Sequence, residues 1–123
     1  MHELSIASSL VESILAFVEQ HRVTKVLAVR LAIGELSCVE TEQLRFCYTA
    51  VTRDTAIESA MLEIDPVRAL VRCSHCSYEG SPKYWEDALS RAAIPTLQCP
   101  ECGKAAEPTQ GHECVIRGIR YVP

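Results

Sequence analysis

The chain has 123 residues, of which 48% are hydrophobic and 23% charged, and its formal net charge at pH 7 is −4. These values are typical of a globular protein and exclude a disordered chain. A mildly acidic chain lacks the clustered Lys and Arg that neutralise nucleic-acid phosphates, and no apolar run approaches the roughly 18 residues that span a bilayer. The first residues also lack a signal-peptide pattern. We therefore expect a cytoplasmic protein that binds neither nucleic acid nor membrane.

The first half of the chain predicts helices and strands in alternation. Residues 4–20 place apolar side chains at the spacing of one helix face. Residues 23–35 instead alternate with a period of two, the pattern of a strand, and Gly34 ends the run. A second helix is expected after this strand, with Glu40 or Thr41 as its N-cap residue.

Two later segments complete the predicted sheet. Residues 60–65 and 113–122 are rich in strand-forming side chains, although Pro66 interrupts the first and Gly118 weakens the second. The order strand–helix–strand favours a right-handed parallel crossover. We therefore predict an α+β fold in which two helices pack on a three-stranded mixed sheet.

The stretch from Val67 to Gly111 has a different composition. It contains four of the seven cysteines, four of the six prolines and three of the five glycines, with little periodicity. A segment of about 40 residues is too small to hold a hydrophobic core alone, and a bound metal would supply the missing stability. We predict a loop-rich domain of residues 70–111, inserted into a domain formed by residues 1–69 and 112–123.

Two cysteine motifs in this insert predict its metal site. CSHC (Cys73 and Cys76) and CPEC (Cys99 and Cys102) are separated by 22 residues. Each C-x-x-C turn delivers two thiolates from one tight loop, and two such turns complete the tetrahedral shell of Zn(II). Because four thiolates leave no open position for a substrate, the predicted zinc is structural. Glycine after each motif, at Gly80 and Gly103, would let the backbone turn with its amides toward sulfur.

The remaining cysteines, histidines and aromatic residues of the insert favour structural roles. Three cysteines lie on apolar-patterned segments and are expected to be small buried hydrophobic residues. A histidine in the first motif could replace a cysteine as zinc ligand, but a solvated loop position is favoured. The residues concerned are Cys38, Cys47, Cys114, His75, His21, His112, Tyr84 and Trp85.

The chain opens with MHE, which suggests a second metal site. The α-amine of Met1, the amide nitrogen between Met1 and His2, and an imidazole nitrogen can chelate one ion in fused rings. Such nitrogen-rich coordination favours Ni(II) or Cu(II) over tetrahedral zinc. Glu3 could add an oxygen or its amide nitrogen. Taken alone, however, an early histidine is usually a helix-flanking residue at a frayed terminus.

Three motifs in combination decide between these interpretations. MHE, IGELSCVETEQLRFCY and the paired CSHC and CPEC motifs together resemble the HypA/HybF family of nickel metallochaperones, which act in [NiFe]-hydrogenase maturation and in some cases serve urease. The resemblance covers nearly the whole chain. It implies a nickel-binding domain of two helices on a three-stranded sheet, together with a zinc domain.

The resemblance also assigns roles to individual residues. It implies that His2 binds nickel, that Glu3 tunes nickel binding or partner contact, and that Glu40 is an outer or direct carboxylate ligand. The four cysteines of the paired motifs would hold structural Zn(II). Ni(II) would be a transient cargo, and the protein would catalyse no reaction.

The partners implied are a nickel-insertion GTPase and the hydrogenase large-subunit precursor, with a urease accessory protein where urease is the client. We expect a monomer or a weak homodimer. Two features depart from the family pattern: the stretch between the cysteine motifs is long, and the final strand carries Arg117 and Arg120 where acidic residues are common.

Two other classes of protein remain as alternatives. A zinc-ribbon adaptor for nucleic acid or protein would keep the four cysteines, but residues 70–111 hold four Lys/Arg against five Asp/Glu, which disfavours nucleic acid. A thiol-redox or zinc enzyme would need thiols that are free to react.

Overall fold

The structure is a computed structural model in which residues 2–86 and 93–123 are described. The segment 87–92, which falls in the long stretch between the cysteine motifs, and Met1 lie outside the described residues. The helices and strands in chain order are α1 (His2–Gln20), β1 (Lys25–Gly34), α2 (Thr41–Val51), β2 (Met61–Val67), β3 (Leu70–Arg72), β4 (Glu79–Gly80), β5 (Tyr84–Trp85), β6 (Ile94–Pro95), β7 (Glu107–Gln110) and β8 (Cys114–Val122).

The chain divides into two compact units. Unit 1 comprises Met1–Ala32, Val39–Asp65 and Val115–Pro123, and unit 2 comprises Ile33–Cys38 and Pro66–Cys114. Each unit is a set of segments that pack mainly against one another. The predicted boundaries of two domains, 70–111 within 1–69 and 112–123, stay a prediction.

The three-stranded sheet has the order β2-β1-β8, with β1 in the middle. The amide of Thr24 donates to the carbonyl of Val122, and the amide of Gly34 to that of Glu113, so β1 and β8 run antiparallel. The amide of Glu35 donates to the carbonyl of Val67 at the far ends of β1 and β2, which indicates a parallel pair. The sheet is therefore mixed, and the predicted α+β fold is confirmed.

The core of unit 1 joins the two helices to the central strand. Most of its deeply buried side chains belong to one face of each helix and to β1, as the apolar spacing predicts, and Ile57 of the α2–β2 connection adds a further fully buried side chain. Within unit 1, the buried hydrophobic residues of these three elements are Ala7, Val11, Ile14, Val26, Ala28, Val29, Leu31, Ala32, Leu44, Cys47 and Tyr48. In the described part of the chain, no helix is long and apolar enough to span a membrane.

Glu40 is the N-cap residue of α2, one of the two residues predicted for that position. Its backbone is extended, and its carboxylate accepts hydrogen bonds from the amides of Glu42 at 3.2 Å and Gln43 at 2.8 Å. The first amides of a helix have no partner within the helix, and a carboxylate there also opposes the positive end of the helix dipole. Glu40 therefore stabilises the start of α2.

Unit 2 contains an antiparallel sheet of order β4-β3-β7 and a short antiparallel hairpin of β5 and β6. Its two segments meet at a pair of glycines. A Cβ atom on Gly34 would lie 1.9 Å from the carbonyl oxygen of Gly111, whose own φ is +119°. Only glycine permits this approach, in which the amide of Leu36 donates to the Gly111 carbonyl at 2.7 Å.

Candidate metal sites

The four cysteines of the paired motifs converge on one point of unit 2. Their Sγ atoms all lie within 4.8 Å of one another, with 3.5 Å between Cys73 and Cys102 and 3.5 Å between Cys76 and Cys99. These separations are too long for a disulfide bond, and all four cysteines are free. A tetrahedral ion with Zn–S bonds of about 2.3 Å requires sulfurs roughly 3.8 Å apart. The arrangement therefore fits a tetrahedral metal ion.

The two motifs position their thiols by the same backbone hydrogen bonds. In the first motif the Ser77 amide donates to the Cys73 carbonyl, and the Cys73 amide to the Tyr78 carbonyl, at 3.1 and 2.8 Å. In the second, the amides of Gly103 and Cys99 make the equivalent bonds, each at 2.9 Å, to the carbonyls of Cys99 and Lys104 respectively. Two copies of one turn thus hold the four thiols from opposite sides.

Each turn needs one residue in the left-handed backbone region. Gly103 has a φ of +76° in the second turn, as predicted, but the equivalent residue in the first turn is Ser77, with a φ of +62°. The prediction that Gly80 serves this turn is wrong, since Gly80 lies in β4. A side chain in this region costs roughly 1–2 kcal/mol, and the hydrogen bonds of the turn maintain it in Ser77.

The backbone around the thiols has a strong influence on their acidity. Burial raises the pKa of Cys73, but the amides of Cys76 and His75 and the thiols of Cys102 and Cys76 outweigh it and lower that pKa to about 7. At Cys76 the amide of Tyr78 lowers the thiol pKa, but the neighbouring thiols and burial raise it. The net result is a pKa of about 12.

The pKa of Cys102 is raised as well. The amide of Lys104 lowers it, but burial and the thiols of Cys73 and Cys99 outweigh that effect. Four adjacent thiols cannot all ionise without a counter-charge, because each thiolate disfavours the next. A divalent cation at the centre would supply that charge.

The hydrophobic core of unit 2 is small and includes two of these cysteines. The cluster around them contains Val71, Cys73, Cys99 and Ala106, with Tyr78 packed against it, and Ile33 and Ala69 are further buried residues of the unit. A core of this size stabilises a folded unit weakly. Folding of unit 2 is therefore expected to depend on the metal site.

The second candidate site lies at the first turn of α1. His2 is the first helical residue, and its ring Nδ1 lies 2.8 Å from Oε2 of Glu3. The His2 side chain is 55% exposed and that of Glu3 is 15% exposed. This hydrogen bond is the main reason that the pKa of Glu3 lies below its ordinary value, with smaller contributions from the charge of His2 and the backbone amide of Glu40.

In unit 1, Glu3 therefore lies beside His2 and near the backbone of Glu40. The backbone amide of Glu40 lies near the Glu3 carboxylate. The Glu40 carboxylate itself accepts hydrogen bonds from the first amides of α2. The fourth predicted residue, Met1, lies outside the described residues.

The other cysteines and histidines lie outside both sites. Cys47 is buried, as predicted, but Cys38 is exposed with a φ of +60°, because it occupies the turn between β1 and α2 rather than an apolar face. Cys114 is half-buried, and burial raises its pKa. Among the described residues, the four clustered cysteines are the one group of three or more His, Cys, Asp or Glu with metal-ligand geometry.

Unit 2 contains a further hydrogen-bond centre that the sequence patterns did not indicate. The Glu35 carboxylate accepts a hydrogen bond from the Ala69 amide at 2.8 Å and shares the single proton of the Tyr84 hydroxyl between its two oxygens, at 3.0 and 3.1 Å. Glu35 thus connects the 33–38 segment to the β5–β6 hairpin. The Tyr84 hydroxyl therefore forms a hydrogen bond within unit 2, in addition to the packing predicted for its side chain.

The fold and the sites define a class of protein: two helices on a mixed three-stranded sheet, with a second unit built around a four-cysteine metal site. A family model described as "Hydrogenase/urease nickel incorporation, metallochaperone, hypA" matches residues 1–121. The chain belongs to this family. It is a metallochaperone family rather than an enzyme family, in agreement with the prediction that the chain catalyses no reaction.

Known relatives match over nearly their whole length. The chain is 33% identical over 133 residues to the hydrogenase maturation factor HypA of Methanopyrus kandleri, covering 98% of this chain and 92% of the relative. It is 37% identical over 123 residues to HypA of Geotalea daltonii, covering 99% of this chain and all of the relative.

Solved structures agree in fold. The solution structure of the Ni metallochaperone HypA from Helicobacter pylori superposes with a TM-score of 0.65 at 21% identity, covering 98% of this chain and 97% of that one. A second HypA solution structure has a TM-score of 0.69 at 22% identity and covers 99% of this chain and 97% of that one. At these identities the likeness concerns the fold alone.

Proposed function

We propose that the chain is a nickel metallochaperone that binds one Ni(II) at its N-terminus and delivers it for maturation of [NiFe]-hydrogenase, or of urease where urease is the client. The observation that carries the proposal is the placement of His2, an exposed imidazole at the first residue of α1 with the Glu3 carboxylate beside it and the Glu40 backbone amide near that carboxylate. Family membership over residues 1–121 supports the same function. The four-cysteine site would hold a structural Zn(II) in a domain of residues 70–111.

The chemistry of His2 suggests how the cargo is held. A chelate through the Met1 amine, the His2 amide nitrogen and the His2 ring closes fused rings only if the ring binds through Nδ1, because Nε2 lies too far from the backbone. In the free protein Nδ1 is paired with Glu3 at 2.8 Å. Nickel must therefore displace the Glu3 carboxylate from Nδ1. Glu3 thus competes with nickel for the His2 ring and lowers the affinity for Ni(II), whether or not it later serves as a ligand.

Glu40 is proposed as an outer residue of this site. Both of its carboxylate oxygens accept hydrogen bonds from the first amides of α2, so direct coordination would uncap the helix. The loss of an N-cap typically costs about 1 kcal/mol. Glu40 therefore contributes through its backbone amide to the placement of Glu3, which in turn holds the His2 ring.

Such a site suits a carrier. The amine and the imidazole must both be unprotonated to bind metal, and the His2 amide nitrogen must release its proton to the solvent, so affinity falls as the pH falls. An exposed site at a helix start also leaves coordination positions open to an acceptor. We propose the cytoplasm as the location, a nickel-insertion GTPase and the hydrogenase large-subunit precursor as partners, and a monomer or weak homodimer as the working state.

A transfer assay tests this function. The zinc-loaded chain carrying one radioactive nickel per molecule is mixed with the purified GTPase and the apo large-subunit precursor, and the nickel on the precursor is counted after separation. We expect nickel to move to the precursor faster than from an equal amount of free buffered Ni(II). Nickel that stays on the chain, or moves no faster than the free ion, would contradict the proposal.

A further inference from the structure

The outer face of α2 carries an exposed aromatic side chain. Phe46 is 71% exposed, although Leu44 and Cys47 on the opposite side of the same helix are 0% and 6% exposed. A single exposed apolar side chain is common on protein surfaces, and it indicates an interaction site only where its surroundings form a suitable binding surface. Neither candidate metal site includes Phe46.

The residues around Phe46 form a shallow groove along the helix. The groove encloses about 410 Å³ and is lined by Glu42, Arg45, Phe46, Thr49, Ala50 and Arg53, which we call the α2 face. Glu42, Arg45, Phe46, Thr49 and Ala50 lie on one stripe of α2 because they are spaced by three and four residues. Arg53 extends this surface just beyond the end of the helix at Val51. This stripe offers an apolar centre with cationic groups beside it.

The charge of the α2 face differs from that of the whole chain. It holds two arginines and one glutamate, whereas the chain carries a net charge of −4. Arg45 is fixed by a 2.6 Å hydrogen bond from its Nη1 to the Leu62 carbonyl of β2, and a guanidinium has further N–H groups with which to bind a carboxylate. The surface is therefore partly preorganised for an acidic ligand.

We propose that the α2 face binds an acidic amphipathic helix of a partner protein. The partner's apolar stripe would cover Phe46 and Ala50, and its flanking carboxylates would pair with Arg45 and Arg53. Aromatic and arginine side chains are the groups that most often dominate the affinity of protein interfaces. The same face of a second copy fits poorly, since it would oppose two arginines to two arginines.

The position of the face matters for cargo transfer. Phe46 lies six residues beyond Glu40 on one helix, an axial distance of about 9 Å. A helix docked on the α2 face would thus lie close to the proposed nickel residues of unit 1. This consequence rests on the proposed nickel site, whereas the docking itself does not.

The test uses the full-length, zinc-loaded chain labelled with ¹⁵N and a synthetic helical peptide of about 18 residues, or five turns. The peptide has leucines on one stripe and glutamates beside them; a matched peptide has lysines in place of the glutamates. We expect the glutamate peptide to shift the amide signals of residues 42–53, with an affinity that falls as salt is added. The lysine peptide should cause no such shifts.

Variants identify the groups that bind. Phe46→Ser should weaken binding of the glutamate peptide by about tenfold or more, and Arg53→Glu should weaken it as well. Met61→Ser, which removes a side chain 62% exposed on β2, should leave it unchanged. Shifts outside residues 42–53, equal binding of both peptides, or full affinity in Phe46→Ser would each overturn the proposal, as would concentration-dependent dimerisation through this face. These outcomes do not depend on nickel, so they leave the proposed function to its own test.

Discussion

Replacing His2 with alanine should lower the affinity of the zinc-loaded chain for Ni(II) by about 100-fold or more. The imidazole is the one side-chain nitrogen in the proposed chelate, and even outer residues of metal sites commonly contribute 10- to 100-fold. Zinc content should stay at one ion per chain. Isothermal titration with Ni(II), together with elemental analysis, measures both quantities.

The matched control is His21→Ala, just beyond the other end of α1. The His21 ring stacks on the Phe17 ring, with 4.3 Å between the ring centres, and its Nδ1–H donates a hydrogen bond to the Phe17 carbonyl. That variant should bind nickel normally. Glu3→Gln should raise the affinity about two- to fivefold, the usual strength of an exposed charged pair, because it weakens the competitor for Nδ1. Normal nickel binding by the His2→Ala variant would disprove the proposed chelate, and a loss of affinity in Glu3→Gln would make Glu3 a direct ligand.

Replacing Cys99 with serine should abolish zinc binding and unfold unit 2. Cys99 is fully buried in the small core of this unit, and a structural zinc ion contributes about 10–16 kcal/mol in small zinc-dependent folds. That exceeds the stability of most whole domains. Elemental analysis should find no zinc, and ¹⁵N NMR spectra should lose the dispersed signals of residues 70–86 and 93–110.

Cys38→Ser is the matched control, because Cys38 is exposed and outside the four-cysteine cluster. It should keep one zinc ion and a dispersed spectrum. Removal of zinc from the unaltered chain with a strong chelator should reproduce the Cys99→Ser spectrum. A Cys99→Ser protein that retains a fully folded unit 2 would show that the metal contributes little to this fold.

Much of this architecture follows from local patterns. The apolar spacing of residues 4–20 predicted α1, and the polar start of the next helix predicted Glu40 or Thr41 as its N-cap, because helix periodicity and capping act over a few residues. The cysteine spacing predicted the four-thiol cluster for a similar reason. Each C-x-x-C turn places two thiols together locally, so a single contact between the two turns completes the cluster.

The rest depends on contacts between distant segments. Only the family resemblance assigned Glu3 and Glu40 to one site. No local pattern near Glu3 indicates that the Glu40 amide lies beside it, since the packing of the two helices brings it there. The bonds of the Glu35 carboxylate to Ala69 and Tyr84 span 34 and 49 residues. Ser77 escaped prediction because glycine is the expected residue in a left-handed turn, and here hydrogen bonds hold a serine in that conformation.

X-ray absorption at the nickel and zinc edges of the doubly loaded chain tests the central claim most directly. Two separate sites of different chemistry predict a nickel shell of nitrogen and oxygen that includes one imidazole and no sulfur. They also predict a zinc shell of four sulfurs at about 2.3 Å. Sulfur in the nickel shell, or a nickel spectrum unchanged by His2→Ala, would contradict the account.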